Sequence, residues 1–154
     1  MKRKNLASLF ALATVLVSVS MSLRRPAIGQ AADPFVMVAN KNNSAVSAMS
    51  KATARKLLLG EVATWPNGGN VIVVLKAVGS IERAAVLSKV CGMSEAEFTR
   101  HNLQAMFMNQ PVAAVQQVAS ASAVKSFVKA NPGAVGFLHK SETDENVKVI
   151  WTLE

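Results

Sequence analysis

With 154 residues, 51% of them hydrophobic and 17% charged, the chain has the length of one modest domain and too little for two full lobes. Its single cysteine, Cys91, rules out an intramolecular disulfide. Its net charge of +8 is no argument for nucleic acid: five of the 17 basic residues and none of the 9 acidic ones fall in the first 31 positions, which leaves 12 basic against 9 acidic, or +3, and no basic block interleaved with aromatics.

Residues 1–31 read as a secretory signal peptide. Lys2, Arg3 and Lys4 form a positive start, Leu6 to Met21 is apolar, and Gly29 and Ala31 are the small residues of a cleavage site before Ala32. Arg24 and Arg25, between the apolar stretch and the cut, are unusual there and keep an uncleaved membrane anchor open as the alternative. Residues 32–154 then form one exported domain.

Phe35 to Ala39 predicts an interior strand, and Asn40 to Ser47 is turn material. Ser50 caps a helix over about 50–59, with Ala54, Leu57 and Leu58 on one face and Gly60 as its left-handed stop. Pro66-Asn-Gly-Gly69 reverses the chain. Val71 to Leu75 shows no polar alternation, which predicts a strand covered on both faces. Ser80 caps the next helix, 80–91, in which Ile81, Ala84, Leu87 and Cys91 recur at helical spacing up to Gly92. Cys91 on that face reads as a small buried hydrophobe. Ser94-Glu-Ala-Glu97 is a capping box opening a helix over 94–108, with Leu103, Met106 and Phe107 expected to face inward and Met106 and Met108 to fill the core. Ser120 or Ser122 caps a further helix with Val124, Phe127 and Val128 as its face. Ala134 to Leu138 predicts a strand, and Val147, Val149 and Trp151 a terminal edge strand. Helices alternating with strands imply an α/β fold, a central sheet flanked by helices.

Chemistry-bearing motifs are scarce. Gly-x-Ser-x-Gly, His-Glu-x-x-His and the P-loop are all missing, so no catalytic residue and no cofactor is expected. His101 and His139 have no ligand at metal-binding spacing. Asp144 and Glu145 lie in a polar loop, and Trp65 reads as packing that pins the Pro66 turn. What stands out is Lys76-Ala-Val-Gly-Ser80, where a strand exits onto a helix N-terminus. Such an exit aims unpaired amides and the positive end of the helix dipole at one spot, which suits an oxyanion. The plain alternative is an ordinary turn with a serine cap.

Three pieces, "SKATARKLLLGEVATWPNGGNVIVV" (50–74), "GMSEAEF" (92–98) and "NPGAVGFL" (131–138), resemble in order and spacing the periplasmic solute-binding proteins of phosphate ABC transporters. They resemble most closely the short secreted proteins related to them. The resemblance spans roughly residues 35–151 and implies a single periplasmic-binding-protein-like lobe. Where the family reads Arg-Ser-Asp-Gly-Ser-Gly-Thr around its phosphate, this chain has Lys76-Ala-Val-Gly-Ser-Ile-Glu82. Lys76 stands at the arginine, Gly79 and Ser80 match, and Val78, Ile81 and Glu82 replace aspartate, glycine and threonine. The family's N-terminal half, the other wall of its cleft, has no counterpart here. The resemblance implies a ligand seat at Lys76, Gly79 and Ser80, to which Arg83, one helical turn on, adds charge. It also implies phosphate or another small oxyanion as ligand, and an ABC transporter permease or another envelope protein as partner. The alternative is an extracytoplasmic, non-catalytic interaction module that kept the fold and lost the ligand.

Intact-mass analysis of the exported protein is expected to show a chain beginning at or near Ala32. A species that retains Arg24 and Arg25 and partitions with membranes would mean a tether instead.

Overall fold

Strands that read as unbroken apolar runs are covered on both faces. The computed structural model describes residues 33–153, so the leader expected over 1–31 lies outside the described residues. In chain order the elements are β1 (Phe35–Asn40), α1 (Lys51–Leu59), β2 (Ile72–Lys76), α2 (Ile81–Val86), α3 (Glu95–Phe107), β3 (Val115–Val118), α4 (Ala121–Ala130), β4 (Ala134–His139) and β5 (Val147–Thr152). Helix α2 continues as a π-helical turn over Leu87–Cys91. The five strands form one sheet in the order β3-β2-β4-β1-β5, with β2 parallel to β3 and β4, and β1 antiparallel to β4 and β5.

Alternate residues of the inner strands serve two cores. Met37, Val73, Leu75, Val135 and Phe137 pack with Leu57, Leu58, Val86, Leu87 and Phe98. Val36, Val38, Val74, Ala134 and Leu138 pack with Val124 and Val128 of α4 on the other face. Helix α4 lies so close to β4 that a Cβ on Gly136 would come within 2.6 Å of Val124 Cγ1. Asn40, buried at the end of β1, holds the end of that helix by donating to the carbonyls of Val128 and Lys129, both at 2.8 Å.

Trp65 joins two distant stretches. Its Nε1–H donates to the Gly133 carbonyl at 3.0 Å, and the Ile72 amide donates to the same oxygen at 3.2 Å. The Trp-Pro-Asn-Gly-Gly turn is thereby tied to the turn that opens β4, which starts β2 and β4 in register. Trp65 is a packing residue, as expected.

The capping residues behave as their sequence predicts. Ser50, Ser80 and Ser94 cap α1, α2 and α3, Ser94 in a full capping box, and Gly60 (φ 81°) ends α1 in the left-handed region. Ser120, not Ser122, caps α4. Cys91 is buried, and burial pushes its thiol pKa up to about 11.

The structure corrects the expectations on side-chain direction. Leu103, Met106 and Phe107 do not face inward, and Met106 and Met108 do not fill the core; all four are exposed, Phe107 at 89%. Phe98 and Ala105 form the buried stripe of α3. In α2 the inward residues are Arg83 and Val86, while Ile81 is exposed. In β5 a register shift opposite Met37 and Val38 turns Ile150 into the core and leaves Val149 outside, which breaks the expected alternation. Strand β3, with Gln116 and Gln117 exposed, was not expected at all, because a short edge strand carries no apolar period. Among the described residues no helix is long and apolar enough to cross a membrane.

Val73 is 1% exposed in a strand with neighbours on both sides. Val73→Asp places a charge without a partner in that dry layer and is expected to destabilise the fold by about 3 kcal/mol or more in thermal or urea unfolding. Wild-type melting would refute this placement of β2.

Candidate functional site

Strand β2 ends at Lys76, and Ala77 to Ser80 forms a turn closed by the Ser80 amide on the Ala77 carbonyl at 3.1 Å. Gly79 sits at φ 89°, a backbone position that strains any residue with a Cβ. Ser80 Oγ accepts from the Arg83 amide at 3.3 Å, and the Ala84 amide reaches the Ser80 carbonyl at 3.1 Å. Lys76, Gly79, Ser80 and Arg83 therefore do come together at one strand exit. What the sequence did not show is how each of the two cations is engaged.

Arg83 is 5% exposed and makes a two-pronged ion pair with Glu95: Nε to Oε2 at 2.7 Å and Nη2 to Oε1 at 2.7 Å. Its Nη1 donates to the Lys76 carbonyl at 3.4 Å, and its guanidinium lies 6.0 Å from the Phe98 ring centre. Glu95 sits in the first turn of α3, where the helix dipole also favours a carboxylate. Arg83 is thus a tie between β2, α2 and α3.

Lys76, its side chain 11% exposed, donates to Glu82 Oε1 at 2.6 Å. The Lys76 ammonium, and after it the backbone amide of Glu82, hold the Glu82 carboxyl below the usual carboxylate range. A carboxylate of the chain itself thus lies where a small anion would be drawn. The cavity bordered by Lys76, Glu82, Arg83 and Phe137 measures only about 10 Å³. That is barely room for one water, and neither Gly79 nor Ser80 borders it.

One cluster has the composition of a hydrolytic triad: Asp33, His139 and Ser141. Its connections are wrong for that chemistry. The Ser141 hydroxyl donates to the Asp33 carboxylate, not to the imidazole, and His139 Nδ1 lies 3.1 Å from the Asp33 carbonyl. The imidazole does not contact the serine, so the relay of a hydrolytic triad is not assembled. The contacts instead fasten residue 33 to the turn after β4. Asp144 pairs with Lys125 at 3.1 Å. Among the described residues no group of three or more His, Cys, Asp or Glu is placed to hold a metal ion.

The fold matches solved phosphate receptors. An ABC-type phosphate transport receptor from Vibrio cholerae superposes with a TM-score of 0.61 at 23% identity, covering 77% of this chain and 45% of that one. A putative phosphate ABC transporter substrate-binding protein from Clostridium perfringens, solved with bound phosphate, gives 0.62 at 21% identity over 77% and 44%. A possible phosphate-binding protein from Planctomyces limnophilus gives 0.56 at 14% over 77% and 40%. The chain spans less than half the length of these structures. No protein-family model and no curated protein matches it. The resemblance read from the three sequence pieces therefore holds at the level of fold: a periplasmic-binding-protein-like α/β unit.

Two measurements test the electrostatics. Arg83→Met strands Glu95 and is expected to cost about 2–3 kcal/mol, much of it recovered in Arg83→Met/Glu95→Gln, as a double-mutant cycle by urea unfolding would show. For Glu82 the folded pKa is depressed, so its stabilising effect is present above the unfolded carboxylate value and is lost as pH falls through the folded one. The melting-temperature gap between wild type and Glu82→Gln should accordingly be open at about pH 7 and narrow as the pH falls below the ordinary carboxylate range.

Proposed function

We propose that this chain is an exported, non-catalytic solute-binding-like protein, related to phosphate-transport binding components, whose oxyanion seat at the β2–α2 exit is closed by its own Glu82. The observation that carries this reading is the Glu82 carboxylate on Lys76 at 2.6 Å beside the α2 N-terminus, an internal anion at a position suited to an external one. Phosphate or a similar oxyanion then binds by displacing Glu82, with Lys76 and the amides after Gly79 and Ser80 as its partners. Arg83 orients the exit and does not contact the ligand, because Glu95 already occupies its fork. The fold shared with phosphate receptors supports the solute-binding class. Residues 1–31 act as the export signal, the mature domain is 32–154, and the site of action is the periplasm or outside the cell. Its partner is a transporter permease or another envelope protein.

A second reading is favoured by one observation. Both cations at the exit are already neutralised by the chain, Lys76 by Glu82 and Arg83 by Glu95, which leaves no net positive charge to attract a free anion. On that reading the protein is an interaction module that uses the fold without the ligand.

Isothermal titration with phosphate and sulfate separates the two. Wild type is expected to bind weakly, and Glu82→Thr, which removes the competing carboxylate, to bind at least tenfold tighter. Lys76→Ala in the Glu82→Thr background should abolish the gain. Absence of saturable heat from Glu82→Thr at millimolar anion would overturn the oxyanion reading and leave the interaction module.

A further inference from the structure

Helix α3 carries more apolar surface than the sheet covers. Phe98 and Ala105 are buried, while Leu103 and Met106 are more than half exposed. These two exposed residues border a cavity of about 330 Å³, which Val115 and Gln117 of β3 border as well. Strand β3 ends the sheet and pairs with β2 alone. The Val73 amide donates to the Ala114 carbonyl at 2.9 Å, and the Ala77 amide to the Val118 carbonyl at 3.0 Å. Residues 114, 116 and 118 therefore turn their backbone groups to β2, and Val115 and Gln117 turn theirs outward. Among the described residues no strand meets them. The Gln117 carbonyl accepts the side-chain amide of its neighbour Gln116 instead, at 3.1 Å.

We propose that β3 and the outer stripe of α3 form a strand-addition site. An extended, uncharged segment of a partner polypeptide pairs with the outer side of β3 and lays alternate apolar side chains into the cavity, over Leu103 and Met106. Three observations select such a segment over another apolar occupant. A lipid tail or a helix laid on Leu103 and Met106 would cover the outward N–H and C=O groups of Val115 and Gln117 without satisfying them, whereas a strand pairs them. The edge is also unguarded: Val115-Gln-Gln-Val118 has neither charge nor proline, while β5 at the other edge carries Lys148 and lies on a register shift. Finally, residues 102–124 contain no Asp, Glu, Lys, Arg or His, and Arg83 and Glu95, which also border the cavity, already hold each other. A charge on the incoming segment would be desolvated there without a partner. Because β3 has four residues, the paired stretch is about 13 Å long and sets about two side chains over α3. Lys76 and Glu82 do not border the cavity, so the proposal stands whether or not an anion displaces Glu82.

Amide hydrogen exchange on the exported chain tests it, with three end-blocked peptides: Ser-Val-Thr-Val-Thr-Val-Ser and its versions with Leu or Phe in place of Val. At least one should slow the Val115 and Gln117 amides by about tenfold or more and leave Gln116 and Val118, already paired with β2, unchanged. Methylating every second amide of that peptide should abolish binding in one phase of methylation and spare it in the other, a test that needs no protein variant. Gln117→Pro removes an outward N–H and no bond to β2, so it should keep wild-type circular dichroism and lose the peptide by fluorescence anisotropy. Leu103→Glu should lose it from the cavity side, and Val149→Lys on the far edge should bind normally. No slowing at residues 115 and 117 by any of the three peptides at millimolar concentration would overturn the proposal. So would binding that survives both Gln117→Pro and Leu103→Glu, or that tolerates both phases of methylation. Slowing of the same amides with rising protein concentration and no peptide would also overturn it, in favour of β3 pairing between copies.

Discussion

The part-buried ion pair between Arg83 and Glu95 is the contact on which the rest of the strand exit depends. Its three donors bind two oxygens of α3 and one carbonyl of β2, so one side chain sets the distance and rotation among three elements. Desolvating a guanidinium consumes most of what the pair returns in Coulomb energy, and such a pair contributes more to geometry than to stability. A point charge on a lysine would not do the same, because only the planar fork fits both carboxylate oxygens at once. With Glu95 on Arg83, α3 presents Phe98 to the core and Leu103, Met106 and Phe107 to solvent.

The sheet supplies the frame. Two cores on opposite faces bury the inner strands, and the Gly133 carbonyl, bound by Trp65 and Ile72, aligns the starts of β2 and β4. With β2 held between β3 and β4, its C-terminal end can only deliver Lys76 to the edge where α2 begins. The chemistry of that edge is then decided by charge balance. A lysine and an arginine at a helix N-terminus would make an anion trap, but two glutamates, one from α2 and one from α3, cancel both. The exit is a polar joint in which each cation already holds a carboxylate of the chain.

Much of this was legible from residue order. Serine caps at 50, 80 and 94, glycine stops at 60 and 92, and the unbroken apolar runs gave helices and inner strands to within a residue or so at most ends. Each of those signals acts over one turn of helix or one strand, where side-chain and backbone chemistry are local. The failures share a cause. Helix α3 carries two apolar stripes, one through Phe98 and Ala105 and one through Leu103 and Met106, and periodicity assigns equal weight to both. Strand β3 has no apolar period because it is an edge, and the β5 bulge resets the alternation in mid-strand. Glu95 drew notice only as part of a capping box; the one hint of more was an acid at the first turn of a helix that follows a buried-face arginine.

The sequence by itself determined the alternation of elements, their caps, a two-sided sheet and the gathering of Lys76, Gly79, Ser80 and Arg83 at one turn, because those features arise from contacts among near neighbours along the chain. Tertiary structure alone decided which stripe of α3 meets the core and that Arg83 is spent on Glu95. It also decided that Glu82 lies on Lys76 rather than in solvent. Whether a cation is free or paired depends on which carboxylate packing brings within 3 Å of it, and for Arg83 that carboxylate comes from a different helix, placed by the sheet and by the burial of Phe98.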